Sequence, residues 1–365
     1  MKLSVIILNY NVRHFLELCL QSVESAITNL EAEIIVIDNN SQDDSCEMVK
    51  QQFPKVKLIE NKENLGFSKG NNIGVEQAKG EYVCILNPDT VVAEDTFETL
   101  LVFAEKQNNL GIVGCKLIDG VGAFLPESKR HVPTPKVAIK KILGDSKNYY
   151  ANQIKENAIG RASVFVGAFM LMKLNVYKQV NGFDEDYFMY GEDIDLSYKI
   201  EQAGFENYYF GETTVIHYKG ESTLKDKTYA KRFYGAMQIF YKKHFKSNLI
   251  FDALVWLGIQ SAKMLGKESN AVLSNIRQNV VFSYELHSSF NHFFPFKVRL
   301  INNFKEIKEN TQVIFDANSL TFKEIIAHMS TSEKNKGLTF KILPKNSNFI
   351  IGSNSSKNRG EVITF

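Results

Sequence analysis

The sequence predicts an α/β protein with a mainly parallel sheet and helices on both faces, plus a small C-terminal α/β appendage. Three observations predict it. Apolar runs alternate with helical spacing from Leu3 to Leu86. The runs are short and continuous, as strands buried on both faces require. Asp38 and Asp89 both follow the ends of such runs, and ligands of open parallel sheets sit beyond the carboxyl ends of the strands.

Leu3–Leu8 reads as the first buried strand. Phe15, Leu16, Cys19, Leu20 and Val23 recur with helical spacing between Arg13 and Ile27. Glu33–Ile37 is a second strand. Ser41 and Asp44 resemble a capping box that opens a helix running to Phe53. Val56–Ile59 is a third strand, a helix runs from about Ser68 to Gly80, and Glu81–Leu86 is a fourth strand. Such βαβ alternation implies parallel pairing. From Asp119 to Arg161, Pro126, Pro133, Pro135, Gly120, Gly122 and Gly144 break the pattern, and Lys129, Arg130 and His131 cluster. A long irregular segment within a domain is usually a functional loop or lid. Val164–Met172 resumes a strand, Glu192–Ala203 is a helix ended by Gly204, and Asn207–Phe210 and Thr214–His217 are short strands.

Residues 225–246 form a basic helix, with Lys225, Lys227, Lys231, Arg232, Lys242, Lys243 and Lys246 between Phe233, Met237, Phe240 and Tyr241. Its two readings are an ordinary solvated face and a surface for anionic lipid headgroups. The domain reading is 1–248 for the main unit, 249–275 for a helical linker with a membrane-surface candidate, and 276–365 for the appendage. Within the appendage Val313–Phe315, Thr339–Leu343 and Phe349–Ile351 read as strands and Phe322–Met329 as a helix.

Length and charge bound the function. The 365 residues suggest about two domains. Lys+Arg of 43 against Asp+Glu of 41 gives +2, which argues against nucleic acid as a partner. Cys19, Cys46, Cys84 and Cys115 have no CxxC spacing and read as buried thiols in a reducing compartment. The N-terminus lacks the pattern of a signal peptide, and no apolar run reaches the roughly 18 residues of a span. The expected location is cytoplasmic, with the inner face of the membrane as a peripheral site.

The richest stretch runs from Gly182 to Ser222. It places Glu192, Asp193 and Asp195 at a helix start, where the dipole favours carboxylates, and it sets His217 at a strand end. A carboxylate that also faces a pocket can serve as a base. Asn87-Pro88-Asp89-Thr90 presents two oxygen-bearing side chains on a rigid turn, suited to a hard divalent cation shared with a diphosphate. The same residue types also make an ordinary Asx/Pro turn. Asp38 can accept from a base N–H or a ribose hydroxyl. Asn64-Leu65-Gly66-Phe67, with Asn72, is a third loop at the same edge.

Taken together these motifs resemble family-2 glycosyltransferases with the GT-A fold, in particular their rhamnosyltransferase-like branch. The resemblance covers about Leu3 to Phe245. It rests on Val5–Asn11, Ile37–Ser41, Asn64–Phe67, Asn87–Thr90, Gly167–Met170, Gly182–Glu185, Glu192–Leu196 and His217–Ser222. It implies an inverting, metal-dependent transferase that moves a sugar from a nucleotide-sugar donor, dTDP-rhamnose or a UDP-sugar, to a hydroxyl of a glycan or lipid-linked acceptor in cell-surface polysaccharide synthesis. Asp193 resembles the catalytic base, with Glu192 beside it. Asp89 and His217 resemble the ligands of Mn²⁺ or Mg²⁺. Asn9, Tyr10, Asp38, Asn64, Gly66, Asn72, Asn87 and Gly167 fall at nucleotide-sugar-binding positions. The implied partners are donor and acceptor, with a membrane surface and a second copy of the chain as further candidates and no nucleic acid. Two departures are visible. Asn87 replaces a frequent Asp, and Asn71 replaces a frequent Arg. They are the only support for the alternative, a non-catalytic GT-A module that binds nucleotide sugar as a scaffold. A nucleotidyltransferase would need a Gly- and Arg/Lys-rich loop after the first strand, and Asn9-Tyr10-Asn11-Val12 is not one. The tail segments Val313–Asp316, Phe340–Pro344 and Ile350–Asn354 resemble part of the Rossmann-like domain of some bacterial polyprenyl-phosphate sugar transferases. They lack a phosphate loop, so no cofactor is expected there.

Overall fold

The computed structural model describes residues 1–142, 145–219, 227–245, 276–285, 294–332, 336–356 and 359–365. The expected linker at 249–275 lies outside them.

The chain opens with β1 (Leu3–Asn9), α1 (Arg13–Ala26), β2 (Ala32–Asp38), α2 (Ser45–Gln52), β3 (Lys57–Glu60), α3 (Gly66–Glu76) and β4 (Tyr82–Leu86). β1 pairs in parallel with both β2 and β4, and β2 with β3. The rest of the sheet is built from β5 (Thr90–Val91), α4 (Thr96–Glu105), β6 (Leu110–Ile118), α5 (Pro135–Ile142), β7 (Ile159–Arg161), β8 (Phe169–Lys173), α6 (Leu174–Gln179), α7 (Glu192–Gln202) and β9 (Glu206–His217). The strand order is β3-β2-β1-β4-β8-β6-β9-β5, with β7 added on β9. β8 runs antiparallel between β4 and β6. This is the mainly parallel α/β sheet that the alternation predicts.

Strand side chains divide between two cores. Leu3, Val5 and Ile7 pack with Leu16, Leu20, Met48 and Leu100 on one face. Ile6, Ile35 and Ile37 pack with Val75, Val176, Leu196 and Ile200 on the other. That two-sided burial explains why the strands read as continuous apolar runs.

Several elements differ from their sequence reading. Ser41 does not cap α2. Its hydroxyl donates to Asp38 and its N–H bonds the same carboxylate, while Asp43 accepts from the Ser45 N–H at the helix start. The cap loses here to the Asp38 carboxylate three residues earlier. The strand expected from Val164 begins only at Phe169, because Val166 to Phe169 forms a turn closed by the Phe169 N–H on the Val166 carbonyl. The two short strands after Gly204 are one strand, β9, whose register against β6 shifts between Cys115 and Lys116. The Asp119–Arg161 segment contains α5 and β7 rather than only irregular chain.

The basic helix is α8 (Lys227–His244). Its Ala236, Phe240 and Tyr241 are buried against Val164, Tyr187 and Ile194. The Tyr241 hydroxyl donates to the Pro133 carbonyl. These apolar side chains therefore face protein. Lys242 and Lys243 stay exposed. Among the described residues no helix is long and apolar enough to cross a membrane.

A second sheet follows, from β10 (Gln278–Phe282), β11 (Val298–Ile301), β12 (Thr311–Asp316), β13 (Thr339–Leu343), β14 (Phe349–Ser353) and β15 (Glu361–Thr364), with α9 (Phe322–Thr331). Its order is β11-β10-β12-β13-β14-β15. One apolar core joins it to the first unit. Val12, Phe15, Leu18, Val91, Ile216 and Tyr218 pack with Phe282, Phe315, Phe322, Ile325 and Phe349. Polar contacts fix the seam. The Glu94 carboxylate accepts the Phe322 and Lys323 N–H groups at 2.8 Å each, and Thr321 accepts the Glu324 N–H. Those are three of the four donors that a helix start leaves without an internal partner. Glu94→Ala is expected to lower stability by about 1 kcal/mol, the usual effect of losing a helix cap. A urea unfolding midpoint equal to that of the parent protein would show that the seam does not need it.

Candidate active site

The parallel register brings Asn9 opposite Asp38, and Ile7 opposite Leu86. The chain turns that follow β1, β2 and β4 therefore share one edge of the sheet. On the first wall, the buried Asp38 carboxylate accepts from Asn9 Nδ2 at 2.8 Å, Ser41 Oγ at 2.6 Å and the Ser41 N–H at 2.8 Å. Three of roughly four acceptor sites are filled, so the carboxylate is oriented yet keeps capacity. Asn9 Oδ1 is buried with no partner among the described residues. An orphaned acceptor beside an oriented carboxylate fits a ligand N–H or hydroxyl. Tyr10, half-buried, follows directly.

Asn39 ties this wall to the next loop. Its side chain donates to Asn64 Oδ1 and to the Gly66 carbonyl. Asn64 in turn accepts the Gly66 N–H. Gly66 has φ +79°, and a Cβ there would lie 2.4 Å from the Phe188 carbonyl oxygen. Only glycine fits such a close approach in the left-handed region. Asn72 has a different role from the donor contact expected of it. Its amide donates to the Phe183 carbonyl and Glu185, and accepts from Tyr177 and the Phe183 N–H. With both ends engaged it holds the Gly182–Glu185 turn. Asn71, at the second departure, donates to the Phe67 carbonyl within its own helix.

The second wall carries Asp89 and His217, both about 5% exposed or less. Thr90 pairs with His217 across β5 and β9. His217 Nε2 lies 3.4 Å from Asp89 Oδ1 and 3.5 Å from Asn87 Nδ2. Its Nδ1 is buried without a partner among the described residues. Among those residues no cluster of three or more His, Cys, Asp or Glu forms a complete metal cage. One carboxylate, one imidazole and a neighbouring amide suit a cation that completes its shell with ligand oxygens.

The third wall is the start of α7. Gly191 precedes it with φ +79°. Asp193 Oδ2 accepts from Arg130 Nη2 at 2.6 Å, and the same nitrogen donates to the Phe165 carbonyl at 2.8 Å. Glu192 is 6% exposed, and its Oε2 has no partner among the described residues. Burial, then the Asp193 charge, push the Glu192 carboxyl up to about 8. Asp195 is fully buried against Tyr187, Lys199 and His244, which ties α7 to α8.

The second and third walls meet at the Val166–Phe169 turn. The Asn87 N–H bonds the Ala168 carbonyl at 3.1 Å. A Cβ on Gly167 would lie 3.8 Å from Asp193 Cβ and 3.0 Å from the Phe67 ring. Asn87, two residues before Asp89, and Asp193, far apart in sequence, thus both adjoin one short turn. Arg130 is the residue missing from the sequence-predicted set. The Lys129–His131 cluster was visible, but it reads either as a lid over the donor or acceptor or as a solvated loop, not as a partner of Asp193. In the structure Lys129 donates to the Ala151 carbonyl, and Arg130 lies inside the site wall. A buried acidic pair without a cation was the signal that could have found it.

Residues 4–180 match the family model described as glycosyl transferase family 2. Residues 4–180 thus form a glycosyl transferase family 2 domain. The chain is 27% identical over 241 residues to the N-acetylglucosaminyl-diphospho-decaprenol L-rhamnosyltransferase of Mycobacterium tuberculosis, covering 61% of this chain and 78% of that protein. It is 27% identical to the rhamnosyltransferase WbbL of Escherichia coli, covering 52% of this chain and 75% of that protein. A mannosyltransferase structure from Pyrobaculum calidifontis, in complex with GDP-Man and Mn²⁺, aligns with a TM-score of 0.49 at 17% identity, covering 73% of this chain and 76% of that one.

The raised Glu192 has a consequence for stability in this glycosyltransferase. The unfolded carboxyl releases its proton near its ordinary 4.5 and the folded one only near about 8. The folded state therefore holds the extra proton between those values, and stability falls as pH rises through that window. Glu192→Gln, which cannot ionise, is expected to flatten that decline in urea midpoints taken from pH 5 to pH 8. A slope identical to the parent's would remove Glu192 from the linkage.

Proposed function

We propose that the protein transfers a sugar, with inversion, from a nucleotide-sugar donor to a hydroxyl of a lipid-linked or surface glycan. The approach of the turn after β4, through Asn87, and of the start of α7, through Asp193, to the same Gly167–Ala168 turn carries this reading. Inverting transfer needs a leaving-group site and a proton acceptor on opposite sides of one sugar. Asp38 and Asn9 would take the base or ribose, with Tyr10, Asn64 and Gly66 completing that wall. Asp89 and His217, with Asn87 at the margin, would hold Mn²⁺ or Mg²⁺, which would offset the charge developing on the departing diphosphate.

The step itself is a single displacement. The acceptor hydroxyl oxygen forms a bond to the anomeric carbon. The bond from that carbon to the phosphate oxygen breaks, and the diphosphate leaves with the electron pair. The hydroxyl proton passes to the Asp193 carboxylate, a transfer worth typically 10²–10⁴-fold in rate. The names of the relatives support a deoxyhexose donor such as dTDP-rhamnose and an acceptor on a polyprenyl diphosphate. Such an acceptor would hold the enzyme at the inner membrane face, where the exposed Lys242 suits anionic headgroups.

Two variants test the reading with dTDP-rhamnose and a UDP-sugar panel, measured as nucleotide release and as donor titration with Mn²⁺. Asp193→Asn is expected to keep donor affinity and lose about 10²-fold or more in turnover. Normal turnover would remove Asp193 as the base. Asp89→Ala is expected to lose the part of donor affinity that depends on Mn²⁺, and an unchanged titration would remove Asp89 from the metal site.

A further inference from the structure

We propose that Arg130 is the positioning residue of the transfer reaction: it fixes the Asp193 carboxylate in place and keeps the single negative charge of the Glu192–Asp193 pair on Asp193. This rests on Asp193 being the base.

The geometry is specific. Arg130 stands in an extended stretch that bridges to both Tyr150 and Val164, so its backbone is anchored on two sides. Its Nη2 is shared between Asp193 Oδ2 and the Phe165 carbonyl. Its Nη1 lies 3.5 Å from the Tyr149 hydroxyl. Phe165 is itself anchored to α7, because its N–H bonds Ser197 Oγ while that hydroxyl donates to the Asp193 carbonyl. The guanidinium is therefore fixed to the same helix turn that carries the base. The remaining Asp193 oxygen, Oδ1, accepts the Ile194 N–H at 2.8 Å.

Adjacent buried carboxyls cannot both ionise at little cost, because each charge opposes the other. The guanidinium touches only one of them. Glu192 Oε2 receives no donor among the described residues. The charged groups around the pair are Arg130, Asp195 and, through Asp195, Lys199 and His244. Asp195 is engaged by Lys199 and the His244 ring rather than by Arg130. Arg130 thus breaks the symmetry between the two carboxyls. Asp193 becomes the proton acceptor, and Glu192 stays protonated as a neutral hydrogen-bond donor. The gain is orientation, since one oxygen is pinned and the rotamer with it.

The experiment uses the full chain and two readouts. The first is infrared difference spectroscopy of the protonated-carboxyl stretch at pH 7, without donor. The parent protein is expected to show one such band that Glu192→Gln removes. Arg130→Met is expected to add a second band that Asp193→Asn removes. A parent band that survives Glu192→Gln, or an Arg130→Met spectrum without the second band, would overturn the charge assignment. The second readout is nucleotide release from dTDP-rhamnose with Mn²⁺. Arg130→Met is expected to lower kcat at least 100-fold with the donor KM within twofold, and to move the acidic limb of the pH profile upward. Arg130→Lys, which keeps the charge, is expected to restore part of kcat with the limb unmoved. It decides the matter if Arg130→Met does not fold. For either variant, kcat equal to the parent's would overturn the positioning role. A parent protein that turns over no donor would count against the proposed reaction, and the infrared arm would still decide the charge assignment.

Discussion

The hydrogen bond from the Asn87 N–H to the Ala168 carbonyl is the constraint on which the site depends. It continues the antiparallel pairing of β4 with β8 by one step beyond Leu86 and Phe169. That one step carries the Asn87–Asp89 turn to the side of the chain that faces α7. Without it, the carboxylate after β4 and the carboxylates before Ile194 would belong to different surfaces. The antiparallel strand inserted in an otherwise parallel sheet therefore does more than extend the core. It lets two loops about a hundred residues apart in the sequence close on one another.

The three walls use different physics for similar residues. Asp38 is held by neutral donors and stays oriented. Asp89 stands beside an imidazole and an amide, a soft arrangement that a cation can reorganise. Asp193 is held by a buried guanidinium. Burial pulls the Arg130 pKa down, and the Asp193 charge with Tyr149 more than offsets this, so the cation is held firmly protonated. A buried charge pair of this type contributes little net stability against an apolar replacement, yet removing one partner is strongly unfavourable. Its place beside the proposed base fits a task in chemistry better than one in folding.

Much of the first unit was legible in the sequence because its signals are local. Continuous apolar runs marked β1, β2 and β4, and acidic residues at a helix start marked α7. What escaped was long-range. One miss was local: Ser41 looks like a cap until Asp38, three residues earlier, is seen to claim it. Leu110–Ile118 forms a central strand, β6, buried along its whole length, yet it is embedded in a stretch whose order no local pattern announces. Arg130 sits in a Pro-rich segment where solvation is the ordinary expectation, and only the approach of α7 turns it inward. Asn72 carries a residue type suited to ligand contact, but its hydrogen-bonding positions are claimed by Tyr177 and by the Phe183–Glu185 turn, more than a hundred residues away.

The shared core between the two sheets changes what the C-terminal unit is. Val91, Ile216 and Tyr218 belong to that core, and they are the immediate neighbours of Thr90 and His217. Alternation along a strand sends adjacent side chains to opposite faces. The cation-side wall is thus backed directly by Phe282, Phe315 and their neighbours. Trimming the chain after its first sheet would leave a broad oily surface behind the reacting groups, and exchanging the tail with that of another protein would require a matching replacement of α1 and β5 as well.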